Sequence, residues 1–472
     1  MSQHFNIAVL GSGPGGYVAA LKAGQMGASV AIIEKENLGG TCLNNGCIPS
    51  KALLASAELL HHIRHAGDLG VEVGGEVGFS WEKIQARKDK ILATLRTGIK
   101  GLLGARKVKI FEGQGVLNGV GKIAIRKNGS AGEEITADKI ILAVGSVPSR
   151  IPGWPTDPEL VCTSDESLHW KKLPKRLLIV GGGVIGCEFA CMMQPFGVQV
   201  TVVEMLPKLL PNMDGQLGDA LEKIFAKRGI KCFTNVKIQE LTTTGQGVKA
   251  VLSNGQTVEA DKALVATGRR ANTGEIGLET VGIATDRGFV RVNDQMESAV
   301  KGYYCIGDAN GRCLLAHAAS GHGIVAVENA LGHDKKFDSP VPGCVYTFPE
   351  IAAVGMSTQE AQEKEIPISV GNFPLAFLGK AMAVADTDGF AKVIRHRETG
   401  EVLGVHMMGH NVTECIAAAG VILHQKMSVA QAVEVMFAHP TISEAIKEAA
   451  EDALFMGLHL PPRKAIRIVV GN

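Results

Sequence analysis

Long apolar runs are missing from this sequence. No uninterrupted apolar stretch reaches the ~18 residues that a membrane-spanning helix needs, so no membrane span is expected. A charge of one sign is missing too: 48 Lys and Arg stand against 47 Asp and Glu, a formal net charge of +1. No strong field draws nucleic acid or an anionic membrane surface, and no like-charge block suggests an interaction tail. Neither is there a charged and then apolar leader before the first strand, Ile7-Ala8-Val9-Leu10. A secretory signal is therefore not expected, and the expected compartment is a bacterial cytoplasm. A mitochondrial matrix protein freed of its transit peptide would look the same. Ten cysteines in 472 residues are too few for a disulfide-dense secreted framework. Most of them read as small buried hydrophobes. No metal site is expected.

What is present is ordinary globular composition, 46% hydrophobic and 20% charged, with length for about three domains at roughly 150 residues each. The chain also carries one unit twice. IAVLGSGPGGYVAALKAGQMGASVAIIEK begins at Ile7, and LIVGGGVIGCEFACMMQPFGVQVTVVEM begins at Leu178. Laid together without a gap, Gly11, Gly13 and Gly16 match Gly181, Gly183 and Gly186, Gly27 matches Gly197, and Glu34 matches Glu204. Each copy reads as strand, glycine turn, helix and second strand ending in an acid. The first glycine allows the tight turn, the second lets backbone approach a pyrophosphate, and the third lets helix and strand pack closely. The pyrophosphate sits at the positive end of the helix, and the acid meets a ribose hydroxyl. A lone glycine motif is weak evidence; two copies with all their flanking context predict two dinucleotide sites. A carboxylate at Glu204 repels a 2′-phosphate, which favours NAD over NADP. Two such sites suggest electron transfer between two cofactors, without saying which site holds which.

Between the copies lies GGTCLNNGCIPSK, residues 39–51. Asn44, Asn45 and Gly46 are expected to make the turn that brings Cys42 and Cys47 together. Pro49 suits an early helical position and Ala52-Leu53-Leu54-Ala55 continues the helix, so Cys47 is expected at a helix N-terminus, where the positive end stabilises a thiolate. The bland alternative is a pair of structural thiols in a glycine-rich loop. If the pair is a redox disulfide, a dithiol substrate needs a base, since the thiolate is the nucleophile. Most of the fourteen histidines read as surface or core residues. His439 differs, because it precedes Pro440, which favours extended backbone, and Glu444 follows at the start of an Ala- and Glu-rich helix, placed to hold the second ring nitrogen.

With these residues in place, the chain resembles the pyridine nucleotide-disulfide oxidoreductases along nearly its whole length. The resemblance rests on GGTCLNNGCIPSK, LAVGSVPS at 142–149, ATGRRANT at 266–273, YCIGDANG at 304–311, LLAHAASGHG at 314–323, YTFPEIAAVG at 346–355 and HPTISEAIKEA at 439–449. It implies an α/β fold with two Rossmann-like domains and an α+β interface domain: FAD-binding residues 1–146, NAD-binding residues 147–272, a return to the FAD domain over 273–341, and a dimer-interface domain over 342–472. It implies FAD on Gly11, Gly13, Gly16, Glu34, Lys51, Gly115, Gly145, Ser146, Asp308 and Leu314, Leu315, Ala316 and His317. NAD would meet Gly181, Gly183, Gly186, Glu188, Glu204, Val236 and Gly268. Lys51 would lie near the flavin and pair with Glu188, and His439 with Glu444 would serve the disulfide of the other subunit of a homodimer. The implied reaction is oxidation of protein-bound dihydrolipoamide with NAD+ as final acceptor, and the implied partners are lipoyl domains and the acyltransferase core of 2-oxoacid dehydrogenase complexes, or the glycine cleavage system.

Ala271 and Cys187 depart from the common pattern, and the tail LHLPPRKAIRIVVGN does not align. Among competing readings, a glutathione reductase would carry basic residues after the second repeat, where Met205-Leu206-Pro207 stand. A mercuric reductase would carry a C-terminal cysteine pair, but the last cysteine is Cys415. A soluble transhydrogenase would lack Cys42 and Cys47. A purely structural subunit would need neither the cysteine pair nor the base nor the two nucleotide loops.

Overall fold

The computed structural model describes residues 3–127 and 130–461. The first sheet runs Lys109–Glu112, Val30–Glu34, Gln3–Leu10, Ser130–Leu142, all parallel. Tyr303–Cys305 adds to the C-terminal half of Ser130–Leu142, also parallel. Its N-terminal half instead pairs antiparallel with Lys122–Lys127, which pairs with Gln114–Leu117. The second sheet repeats the parallel order: Lys231–Phe233, Gln199–Val203, Arg176–Val180, Lys262–Val265, Val161–Cys162. Ile7 to Leu10 and Leu177 to Val180 are buried without alternation. Both faces of each sheet are covered, one by helices (Ala19, Ala20 and Ala23; Phe189 and Ala190) and the other by antiparallel strands (Leu117, Ile123 and Ile125; Leu241, Val248 and Ala250), which is why these strands read as continuous apolar runs.

The chain crosses from the first sheet to the second and back through one antiparallel pair, Ser146–Pro148 with Arg269–Ala271. The boundary expected after 146 falls inside this pair, and the one expected after 272 falls one residue beyond it. A third sheet, Gly343–Val345, Glu350–Gly355, Val402–Gly409, Phe390–His396, Ile368–Pro374, is antiparallel throughout. Helices Val412–His424 and Glu444–Ala453 pack on it through Ile416, Ala419, Ile446 and Ala449, all buried. Its first strand begins just after the expected boundary at 341. Of the unaligned tail 458–472, residues 462–472 lie outside the described residues. Among the described residues no helix is long and apolar enough to cross a membrane, and no group of three or more His, Cys, Asp or Glu is arranged to hold a metal ion.

Candidate active site

The two glycine turns are built alike. Gly11 and Gly181 have φ of 98° and 105°, a conformation glycine adopts freely. A Cβ on either would stand 2.4 Å from the Ala143 carbonyl oxygen or 2.5 Å from that of Ala266. A Cβ on Gly16 or Gly186 would strike the carbonyl oxygen of Gly11 or Gly181, at 2.0 and 1.9 Å. The middle glycines differ: a Cβ on Gly13 or Gly183 meets nothing within 4 Å. These two residues cap helices Pro14–Gln25 and Val184–Met193 with extended backbone. The space in front of each is open, which fits a pyrophosphate approaching the backbone at each helix N-terminus. The acids are duplicated as well. Glu34 accepts from Ser12 N (2.9 Å) and Glu36 N (2.9 Å), and Glu204 accepts from Gly182 N (2.6 Å) and Leu206 N (2.7 Å). Each carboxylate is thereby aimed across its own turn with acceptor capacity left for a ribose hydroxyl.

From Glu34 the chain runs directly into the cysteines. The expected open turn at Asn44-Asn45-Gly46 is instead a short helix, Gly40–Asn45, that breaks only at Gly46. Buried Asn44 explains the difference: its side-chain amide donates to the carbonyls of Leu38 (3.1 Å) and Gly40 (2.9 Å), groups that a coiled segment would leave unpaired. Cys42 therefore sits on one helix, and Cys47 opens the next, Cys47–Arg64. The Cys42 thiol donates to Cys47 and stays well above the ordinary thiol range. Cys47 accepts that bond and faces the Lys51 ammonium; together these lower it to about 7 against the burial that opposes them. The arrangement makes one sulfur a ready thiolate and keeps the other protonated beside it.

Lys51, one turn further on, forms a two-pronged ion pair with Glu188 (2.9 and 2.8 Å). Glu188 is the one charged residue of helix Val184–Met193, buried, and also accepts from Tyr346 N at 3.0 Å. The Lys51 ammonium lies 4.4 Å from the centroid of the Tyr346 ring. The helix that follows the first nucleotide repeat, the helix of the second repeat and the start of the third sheet thus meet beside Cys47. A second polar cluster joins the crossing strands to the return segment: Ser146 Oγ donates to Asp308 (2.5 Å), while Arg269 donates to Ser146 Oγ (2.7 Å) and to its carbonyl (2.8 Å). Gly145 and Gly268, with φ of 67° and 120°, flank it. Gly115 is closely packed: a Cβ would lie 3.1 Å from the Leu10 side chain and 3.2 Å from that of Ile33, so both would have to give slightly. Val236 donates to the Glu204 carbonyl at 3.0 Å. Leu314 is exposed, Leu315 caps helix Ala316–Ala330, and His317 bonds the Pro342 carbonyl at 2.8 Å. Sequence reasoning missed Arg269 and Tyr346 as individuals, although both fall inside motifs it marked.

His439 Nδ1 lies 2.9 Å from Glu444 Oε1, and the other carboxylate oxygen accepts from Thr441 N at 2.8 Å. Held this way the ring presents Nε2 as its free base. The imidazole is 77% exposed. Among the described residues no hydrogen bond or ion pair joins His439 to Cys42 or Cys47 within one chain; thiol pair and base are assembled separately.

The comparisons with known proteins agree along the length of the chain. The family described as pyridine nucleotide-disulphide oxidoreductase matches residues 5–323, and its dimerisation domain matches residues 341–450. A dihydrolipoyl dehydrogenase of Bacillus subtilis is 40% identical over 474 aligned residues, covering 97% of this chain and 100% of that protein. One from Chlamydia trachomatis is 38% identical, covering 98% of this chain and 100% of its own. Among solved structures, LpdA from Mycobacterium tuberculosis superposes with a TM-score of 0.87 at 31% identity, over 95% of this chain and 99% of that one. The HOCl-induced flavoprotein disulfide reductase RclA from Escherichia coli, as its Cu(II) complex, reaches 0.85 at 25% identity, over 96% and 99%.

Proposed function

The chain belongs to the pyridine nucleotide-disulphide oxidoreductases, users of FAD and NAD, and from that premise we propose that it oxidises the dithiol of a protein-bound lipoyl group, with NAD+ as final acceptor. One observation carries the reading: two cysteine sulfurs hydrogen-bonded at a helix N-terminus, the second lowered to about 7 beside a half-buried lysine paired with a buried glutamate. A substrate thiol gives its proton to His439 Nε2 and attacks Cys42 as thiolate. Cys47 departs as the thiolate its position stabilises. The second substrate sulfur then displaces Cys42, closing the lipoyl disulfide. Bound FAD supplies the electron relay from the reduced cysteine pair to NAD+. Gly13 and Glu34 would hold its adenosine half and Ser146 and Asp308 its ribityl chain, and Gly183 and Glu204 would hold NAD+.

In this reading residues 1–146 and 273–341 form the FAD domain, 147–272 the NAD domain and 342–472 the interface domain. The match to the family's dimerisation domain supports a homodimer. In this reading the open His439 imidazole, 77% exposed, serves the cysteines of the partner across a two-fold axis, where one patch meets its own copy. The partners are lipoyl domains and the acyltransferase core of a 2-oxoacid dehydrogenase complex, or the glycine cleavage system, in a bacterial cytoplasm. The direct test is dihydrolipoamide-dependent reduction of NAD+, with glutathione disulfide and Hg2+ as control substrates for the reverse direction. Preference for either control, or for NADP+, overturns the substrate assignment. The shared site is tested with Cys42→Ser and His439→Ala chains, each nearly inactive, isolated as a heterodimer. One of its two sites carries neither lesion, so about half the wild-type activity per dimer returns. No recovery rejects the shared architecture.

A further inference from the structure

Lys88 is a buried cation that the reaction above does not use. It stands in helix Trp81–Ala105 with its side chain 1% exposed. Its Nζ donates to Gln85 Oε1 at 2.6 Å and to the Leu168 carbonyl at 3.0 Å, lies 3.2 Å from Asp89 Oδ1, and meets His169 Nδ1 at 3.0 Å. A charge held out of water persists only when it is paired and hydrogen-bonded. Two carbonyl oxygens and a carboxylate around Nζ call for an ammonium, which has donors and no lone pair. His169 Nδ1 must therefore accept, and the proton of the neutral ring sits on Nε2. Nε2 lies 3.1 Å from Asn45 Oδ1 and donates to it. The ring also meets the Asn44 backbone. Lys88 thus sets a tautomer, and the tautomer aims a donor at the residues between Cys42 and Cys47.

The other asparagine of that turn is tied to the same helix. Arg96 Nη1 lies 3.4 Å from Asn44 Oδ1, about two turns beyond Lys88. Asn45 ends the helix that carries Cys42, and Gly46 alone separates it from Cys47. The turn is hung on one long helix, directly by Arg96 and through His169 by Lys88. It is held with both sulfurs as thiols, Cys42 donating to Cys47. Closing the disulfide turns that hydrogen-bonded contact into a covalent bond, so the turn between the cysteines has to give. A tether on the turn opposes that movement. The charged groups facing His169 are Lys88 and Asp89. Burial and the Lys88 ammonium hold its imidazole below the ordinary histidine range, so the neutral, donating ring is the form present near neutral pH.

We propose that His169, oriented by Lys88, is a positioning residue for the Cys42–Cys47 pair: its bond to Asn45 favours the dithiol arrangement of the turn and makes the pair a stronger oxidant. The proposal rests on the redox reading of that pair, and not on which dithiol it takes. In exchange the enzyme's S–S bond breaks as the reductant's forms, and two electrons pass to the cysteines. One proton stays on Cys42, and the second is shared between Cys47 and water according to pH. Whatever the tether adds on the dithiol side appears in the equilibrium constant of that exchange. Among the described residues no hydrogen bond joins His169 to either sulfur, so its effect passes through Asn45.

The experiment equilibrates the flavin-loaded dimer without oxygen at pH 7.5 in mixtures of reduced and oxidised dithiothreitol. Samples are quenched in acid, their thiols are trapped with N-ethylmaleimide, and the peptide holding both cysteines is weighed. Dithiothreitol keeps the result independent of the natural substrate. Asn45→Leu and His169→Leu should each shift the exchange constant roughly three- to tenfold toward the disulfide, the scale of one lost hydrogen bond. The double variant should go no further than either single one, since both cut one link. His169→Gln, whose amide can accept from Lys88 and donate to Asn45, should recover most of the wild-type constant. Thermal midpoint and flavin content report folding separately. Asn45→Leu leaves Lys88 its partners and decides the matter if His169→Leu fails to fold. A constant that is unchanged in Asn45→Leu, or shifted toward the dithiol, overturns the proposal, as do additive shifts in the double variant. A wild-type pair that forms no disulfide in any of these mixtures sinks the redox reading, and the proposal with it; the variants play no part in that result.

Discussion

The two nucleotide repeats are nearly superimposable in their local bonding, and they are followed by different things. Ser12 and Gly182 donate their backbone N–H groups to Glu34 and Glu204, and Glu36 and Leu206 do the same from the other side. After the first acid comes the helical turn with Cys42. After the second comes a segment leading to Asp214, which caps helix Gly215–Lys227 and forms a buried ion pair with Lys392 of the third sheet at 2.7 and 2.8 Å. Inside the repeats the divergence is as local: Glu188 on the second helix reaches Lys51, where the first helix has Val18 at the matching position. The repeat supplies a binding frame twice, and the chemistry is decided by single residues on it and by the few residues that follow it.

The largest expected effect tests whether the chemistry is so separable. Cys47→Ser should lower lipoamide-linked turnover by at least roughly 10³-fold, the scale on which loss of a reacting group is felt. Flavin content and NADH binding, read by absorbance and titration, should be unchanged. A variant that loses a cofactor along with turnover would mean that frame and chemistry are not separate. A smaller effect separates the two frames from each other. Gly183→Val should weaken NAD+ binding roughly 10- to 100-fold with flavin content intact, while Gly13→Val should deplete flavin first. Neither Cβ position has protein within 4 Å, so the thermal midpoint of each variant measured without its nucleotide should stay within a few degrees. A large drop in that midpoint would show that the open space is not the ligand's. The smallest effect lies in the turn itself. In reduced protein Cys47 is thiolate above about pH 7 and thiol below it, so its alkylation by iodoacetamide should rise through that pH. Cys42→Ala removes the donor that favours the thiolate and should move the midpoint up by about one pH unit. An unmoved midpoint would assign the lowering to Lys51 and the helix end alone.

Much of this was legible before any coordinates. The repeats announced themselves because phosphate binding demands glycine at fixed spacing, and because parallel strands buried on both faces are apolar without interruption. The cysteine pair was legible from its flanking helix. The helical form of the Cys42 segment was not, since it depends on Asn44 reaching back to two carbonyls, and asparagine offers that bond in loops as readily as here. Arg269 and Tyr346 were hidden for another reason. Their partners Ser146 and Lys51 are remote in sequence, and neither side chain belongs to a spacing rule. The hydrogen bond between His459 Nδ1 and Glu448 Oε1, 2.9 Å, was hidden as well, because only the reversal after Ala453 brings the two together.

The narrow neck formed by Ser146–Pro148 and Arg269–Ala271 has a consequence for how the molecule is made. All five strands of the second parallel sheet lie between Val161 and Val265, so a growing chain holds every strand of that sheet before the first sheet has its last one. The first waits for Tyr303–Cys305 to leave the ribosome and dock on Ser130–Leu142. On the nascent chain the inner sheet can pair all its strands ahead of the outer one that surrounds it in sequence, while part of its apolar cover, Val345, Phe348 and Ile351, arrives later still.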